Sequence, residues 1–147
     1  MRARLGRARA VLIALAWLGT GCGKFQQARE CGAFVKAVNA WLSGPGAKGA
    51  PGTSGEPQQV AREARRTAEH YAELARRLAE LHVQSEELSP RVEGYRAIAE
   101  NADRTLREVA DAVDRGDLAL ARKKRVEFDT VAQREAPLVQ EINGICR

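Results

Sequence analysis

Val60-Ala61-Arg62-Glu63-Ala64-Arg65-Arg66-Thr67-Ala68-Glu69-His70-Tyr71-Ala72-Glu73-Leu74-Ala75-Arg76-Arg77-Leu78-Ala79-Glu80-Leu81 carries the clearest period in the chain. Val60, Ala64, Thr67, Tyr71, Leu74, Leu78 and Leu81 alternate spacings of four and three. That rhythm puts all seven on one stripe of a helix, the seam by which helices pack side by side in a bundle. The spacing predicts a helix from about Pro57 to His82. Glu73 and Arg77 lie four apart on its outer surface, in the favourable acid-before-base order.

Downstream, Leu88, Val92, Tyr95, Ala99, Ala102, Leu106, Val109 and Val113 repeat the rhythm and predict a further helix. Two starts are open to it. Either Ser85 caps it with Glu86 and Glu87 in the first turn, or Ser89 caps it with Pro90 at the first position. A turn within 83–89 is preferred to one long helix kinked at Pro90, because a straight rod leaves both seams without a partner. Gly116 is expected to end this helix and Asp117 to cap the next. That last helix has Leu118, Ala121, Phe128, Val131, Leu138, Val139, Ile142 and Ile145 on its apolar side. Pro137 should kink or interrupt it, and Gly144 weakens its final turn.

Upstream, Cys31, Phe34, Val35, Val38, Trp41 and Leu42 share one face of a helix from about Phe25 to Ser43. Residues 44–57, rich in glycine and proline, form a flexible linker. Glycine recurs there at Gly46, Gly49, Gly52 and Gly55, too few triplets for a collagen-type helix. No strand-like alternation of useful length occurs. The fold class is therefore all-α, an up-and-down four-helix bundle with a Gly/Pro-rich linker between helices 1 and 2.

The first 22 residues have a different character. Arg2, Arg4, Arg7 and Arg9 precede the apolar run Ala10-Val11-Leu12-Ile13-Ala14-Leu15-Ala16-Trp17-Leu18, and Gly19-Thr20-Gly21-Cys22 follows. This resembles the signal peptide of bacterial lipoproteins, whose lipobox ends in a cysteine preceded by small residues. It departs from the usual pattern at Gly19, where leucine is common. The resemblance implies a signal peptide over 1–21, removed on export, and a domain over 22–147. It also implies a diacylglycerol on the Cys22 sulfur and an added acyl group such as palmitate, several chains being needed for stable anchoring. Gly23 carries no aspartate retention signal, so the lipoprotein pattern implies the outer membrane of a Gram-negative envelope. An ordinary secretory signal is the competing reading, since Gly19 and Gly21 also fit a small-x-small site.

The charge balance depends on that cleavage. All four charges in 1–21 are positive, so 20 of the 24 Lys and Arg remain against 19 Asp and Glu. A near-neutral chain lacks the electrostatic footprint of nucleic-acid binding. With Cys22 given to lipid, Cys31 and Cys146 remain, one near each end, in an oxidising compartment. A disulfide is expected, two buried free thiols being the alternative. An up-down-up-down bundle brings those two residues to the same end, close to Cys22.

Catalytic and cofactor patterns are missing from the sequence. His70 and His82, twelve residues apart on one helix, point about 120° apart. No HExxH, ExxH, CxxC, CxxCH or GxSxG stands in the chain, and Ser43, Ser54, Ser85 and Ser89 sit where caps and loops want serine. No metal ligands, cofactor-binding residues or catalytic residues are assigned, and the chain is read as not an enzyme. Arg122-Lys123-Lys124-Arg125 points all round a helix. One of Lys124 and Arg125 must bury its stem by the seam, and Asp111, Asp114 and Asp117 are expected to offset the run. The functional expectation is a lipid-anchored, non-catalytic binding or scaffolding module with a protein partner in the cell envelope. One alternative is escort of an envelope secretion component, as pilotin lipoproteins do, which calls for a groove between helices. The other is a bundle holding haem or another small ligand.

Overall fold

A computed structural model of the chain describes residues 19–44 and 55–147, with side chains from Gly23 onward. Residues 1–18 of the expected signal, the linker stretch 45–54 and the Cys22 side chain lie outside the described residues. The fold is an all-α bundle, with no strand among the described residues. Its elements are α1 (Gly19–Leu42), α2 (Pro57–Ala79), α3 (Ser89–Asp114), α4 (Leu118–Ala132) and α5 (Glu135–Ile145).

α2 and α3 form an antiparallel hairpin that runs the full length of the molecule. Alanines let the two helices approach closely, with Ala61, Ala64, Ala68, Ala99, Ala102 and Ala110 all buried. The large side chains at Leu74, Leu78, Leu88 and Leu106 fill the layers between them and are fully buried. The eight stripe residues read from the α3 sequence are all buried, from Leu88 to Val113. α2 stops at Ala79, short of the expected His82, so Leu81 lies beyond the helix; it and Val60 mark the ends of the stripe and are half-exposed.

The connection between them corrects both expected starts: neither serine caps α3, whose N-cap position is Leu88 with no side-chain cap bond. Residues 80–88 turn the chain, and α3 begins at Ser89 with Pro90 in its first turn, where a missing N–H leaves no bond unmade. Ser85 caps a preceding turn instead of the helix: its hydroxyl accepts the Leu88 N–H at 3.3 Å. The end of α3 follows its sequence signal. Gly116 takes φ 72°, its N–H bonds Val113 O and the Asp117 N–H bonds Ala112 O, the double bond of a Schellman stop. Asp117 then caps α4 by accepting the Leu120 N–H at 2.9 Å.

The last leg of the bundle is two helices, not one. The break falls at residues 133–134, ahead of Pro137, which sits as the third residue of α5. There its absent N–H is one that a helix start leaves unbonded anyway, so breaking upstream spares a lost bond in mid-helix. α4 and α5 both pack against α3. α1 is longer than its apolar spacing implied, beginning at Gly19. Its buried face is narrower: Cys31, Phe34 and Trp41 are buried, while Val35 and Leu42 are 43% and 55% exposed. α1 runs antiparallel to α2. Gln26 near its start reaches Gln84 beyond the end of α2, and Trp41 near its end reaches His70 and Tyr71 halfway along it.

A groove where the fourth helix stops

Trp41 marks the level at which the four-helix cross-section ends. Its Nε1–H donates to the His70 carbonyl at 3.0 Å, and its ring stacks on the His70 imidazole at 4.9 Å and tilts over Tyr71 at 5.4 Å. One residue later α1 stops, the Ser43 hydroxyl bonding back to Asn39 O. Below that level α1 fills a slot between α2 and the last leg. Phe34 meets Tyr95 edge-on at 5.8 Å, and Tyr71 meets Phe128 at 5.9 Å.

Above Trp41 the same stripes continue without α1. Val60 and Pro57 of α2, Val109 and Val113 of α3, and Leu118, Ala121 and Val126 of α4 line an open, mainly apolar groove of about 650 Å³. Two of these large apolar side chains stand far out of the packing, Leu118 at 49% and Val126 at 65% exposure. A groove of this size is in the range that binding sites use. Arg122, Arg125 and Asp129 of α4 supply its charged bank.

The basic run at 122–125 divides in two. Arg122 and Arg125 face the groove, and Arg125 lies over the Phe128 ring at 5.6 Å with its Nε 3.1 Å from Asp129. Lys124 points the other way, to Glu108 and Glu127 at 2.8 Å each, which hold its ammonium pKa up. The expected offset by aspartates is corrected here. Asp111 and Asp114 are taken by Arg65 of α2, and Asp117 is the α4 cap. Those carboxylates lie where the α2 cation reaches them across the hairpin, a pairing that spacing within one helix does not reveal.

The opposite end of the bundle is a clasp. Cys31 and Cys146 form a disulfide, their Cα atoms 5.7 Å apart, across 115 residues of sequence. Beside it the Glu30 carboxylate is buried on α1 and accepts the Gln84 and Ser85 backbone N–H groups at 3.0 and 3.1 Å, and Gln26 Nε2 at 3.0 Å. Burial pushes its pKa up, but these donors outweigh it and hold the carboxyl below its ordinary value. Gln27 bonds Ile145 O at 3.3 Å. α1 is thus pinned at its near end to both the α2–α3 turn and the end of α5.

The remaining candidate side chains stay apart. His70 is half-buried, its Nε2 has no partner, and burial lowers its pKa. His82 is exposed, one ring nitrogen 3.0 Å from Glu80 O. Among the described residues no three of His, Cys, Asp and Glu gather into a metal-holding group, and no helix is long and apolar enough to cross a membrane. The sequence reading passed over Glu135, which heads α5 inside the bundle. Burial raises its carboxyl pKa against the opposing bond from the Tyr71 hydroxyl, and its Oε1 has no partner. Glu135 stands two residues before Pro137 in a stretch with no helical apolar period of its own, so nothing local marked it as internal. The groove was also illegible, since it depends on where α1 ends relative to α2. No protein-family model, curated protein or solved structure matches the chain.

Proposed function

We propose that the chain is a lipid-anchored, non-catalytic docking module of a bacterial cell envelope. The observation that carries this reading is the groove, an apolar floor with a charged bank on one side, at the end of the bundle remote from Cys22. The address comes from the arginines, apolar run and Gly19-Thr20-Gly21-Cys22 of the first 22 residues. Cys22 stands nine residues before Cys31 on α1, about 14 Å along a helix axis. With acyl chains on Cys22, the disulfide clasp would sit next to the membrane. The groove would open about 30 Å further out along the hairpin, toward other envelope proteins. A clasped base suits such a role, because α1 transmits the anchor to the bundle through Cys31, Glu30 and Gln27.

Intact mass spectrometry of the protein extracted from native membranes tests the reading. A chain starting at Cys22, heavier by its acyl groups and gaining two hydrogens on reduction, is the expected result. An unacylated chain starting elsewhere would make the module a secreted one and remove the anchor.

A further inference from the structure

We infer that the open half of the α1 slot takes up an amphipathic helix of another protein, about three turns long, with acidic residues along one flank. This rests on the docking reading above and names the partner's chemistry. The first support is continuity with a helix interface already in the molecule. Tyr71 of α2, Tyr95 of α3 and Phe128 of α4 belong to the stripes that enclose α1, and Val60, Val113 and Ala121 continue those stripes past its end. The lower half of the slot holds α1, and among the described residues no helix takes the same corner in the upper half. Its walls from Leu118 to Asp129 extend about 16 Å, three helical turns.

Residues 43–56, which join α1 to α2, contain no apolar side chain larger than alanine or proline. A second copy fits poorly by charge. Its exposed apolar side chains on α1 are Phe25, Val35 and Leu42, and the first two are accompanied by Lys24, Arg29 and Lys36, which would face Arg122 and Arg125. Asp129 is taken by Arg125, while Arg122 on the same bank has no acidic partner among the described residues, which favours an acidic flank; the facing α2 bank at Pro57 and Val60 is uncharged. Anchors at i, i+3, i+4 and i+7 on the partner would replace the face that α1 presents below.

The test uses the whole mature protein, in phospholipid nanodiscs when acylated and in buffer otherwise. It is titrated with a synthetic helical peptide bearing leucines on one face and glutamates on one flank. We expect saturable binding that protects the amides of α4 from exchange. Val126→Asp, at an exposed position, should abolish binding while leaving helicity and the disulfide intact. Arg122→Glu should weaken it several-fold, and a lysine-for-glutamate version of the peptide should bind that variant better than the parent. Three results would overturn the inference. Laurate binding that competes for the site without any peptide binding would make the groove an acyl-chain site. Self-association lost in Val126→Asp would make it a dimer interface. Self-association leaves the docking reading intact, whereas an acyl-chain site, or failure of peptide, laurate and self-association together, would remove both.

Discussion

Glu30 and Glu135 are carboxylates drawn out of water with unequal compensation. Glu30 meets two backbone N–H groups and the Gln26 amide, which together hold its pKa down, so its ionised form favours the fold. That contribution is present above the ordinary glutamate range and lost as pH falls through the lowered pKa. Glu135 has one donor, Tyr71, and one oxygen with none, and burial raises its pKa. Its favourable form is the protonated one, fully present at low pH and lost as pH rises through the raised value. Thermal melts should therefore separate the two amides. Glu135→Gln should melt about 2–5 °C above the parent near neutral pH, the gain vanishing toward about pH 4. Glu30→Gln should melt below the parent at neutral pH, the deficit shrinking on acidification. A Glu135→Gln gain independent of pH would show that the charge is not what the fold opposes.

Among the elements, the α3–α4 corner depends on two adjacent residues with separate duties. Gly116 holds φ 72°, a conformation that costs a side-chain-bearing residue roughly 1–2 kcal/mol. Asp117 caps α4, and losing such a cap costs about 1 kcal/mol. Gly116→Ala and Asp117→Ala should lower urea stability by about those amounts, and Gly116→Asn should recover part of the loss. The corner also positions the groove, since Leu118 follows directly. α1 is held differently, by the clasp at one end and Trp41 at the other. In a Cys31→Ser, Cys146→Ser variant, amides of α1 should exchange faster than those of α2 and α3. Equal protection across all three would mean that Phe34 and Trp41 hold α1 without the bridge.

At the scale of the molecule, the disulfide closes nearly the whole described chain into a loop. The chain-entropy model assigns roughly 4–5 kcal/mol to a closure of that length, and measured bridges more often give about 2–4. Reduction should lower the unfolding free energy by an amount in that range, read as a drop in urea midpoint with the α2–α3 hairpin the last part to lose protection. A midpoint unchanged by reductant would assign the clasp no thermodynamic role.

The stripes of α2 and α3, the Gly116–Asp117 corner and the pairing of Cys31 with Cys146 are written in the sequence. Each follows from local spacing, one backbone conformation, or the topology those spacings imply. The resemblance of the first 22 residues to an export signal is likewise a reading of sequence alone. Tertiary structure decided the rest, because it turns on distances between segments far apart in the chain. It set the break at 133–134 ahead of Pro137, the burial of Glu30 and half-burial of Glu135, and the capture of Asp111 and Asp114 by Arg65. It also set the height at which α1 ends. An apolar stripe states that a helix wants a neighbour, but only packing fixes how far that neighbour extends. Here it stops at Leu42 and leaves the upper stripes open.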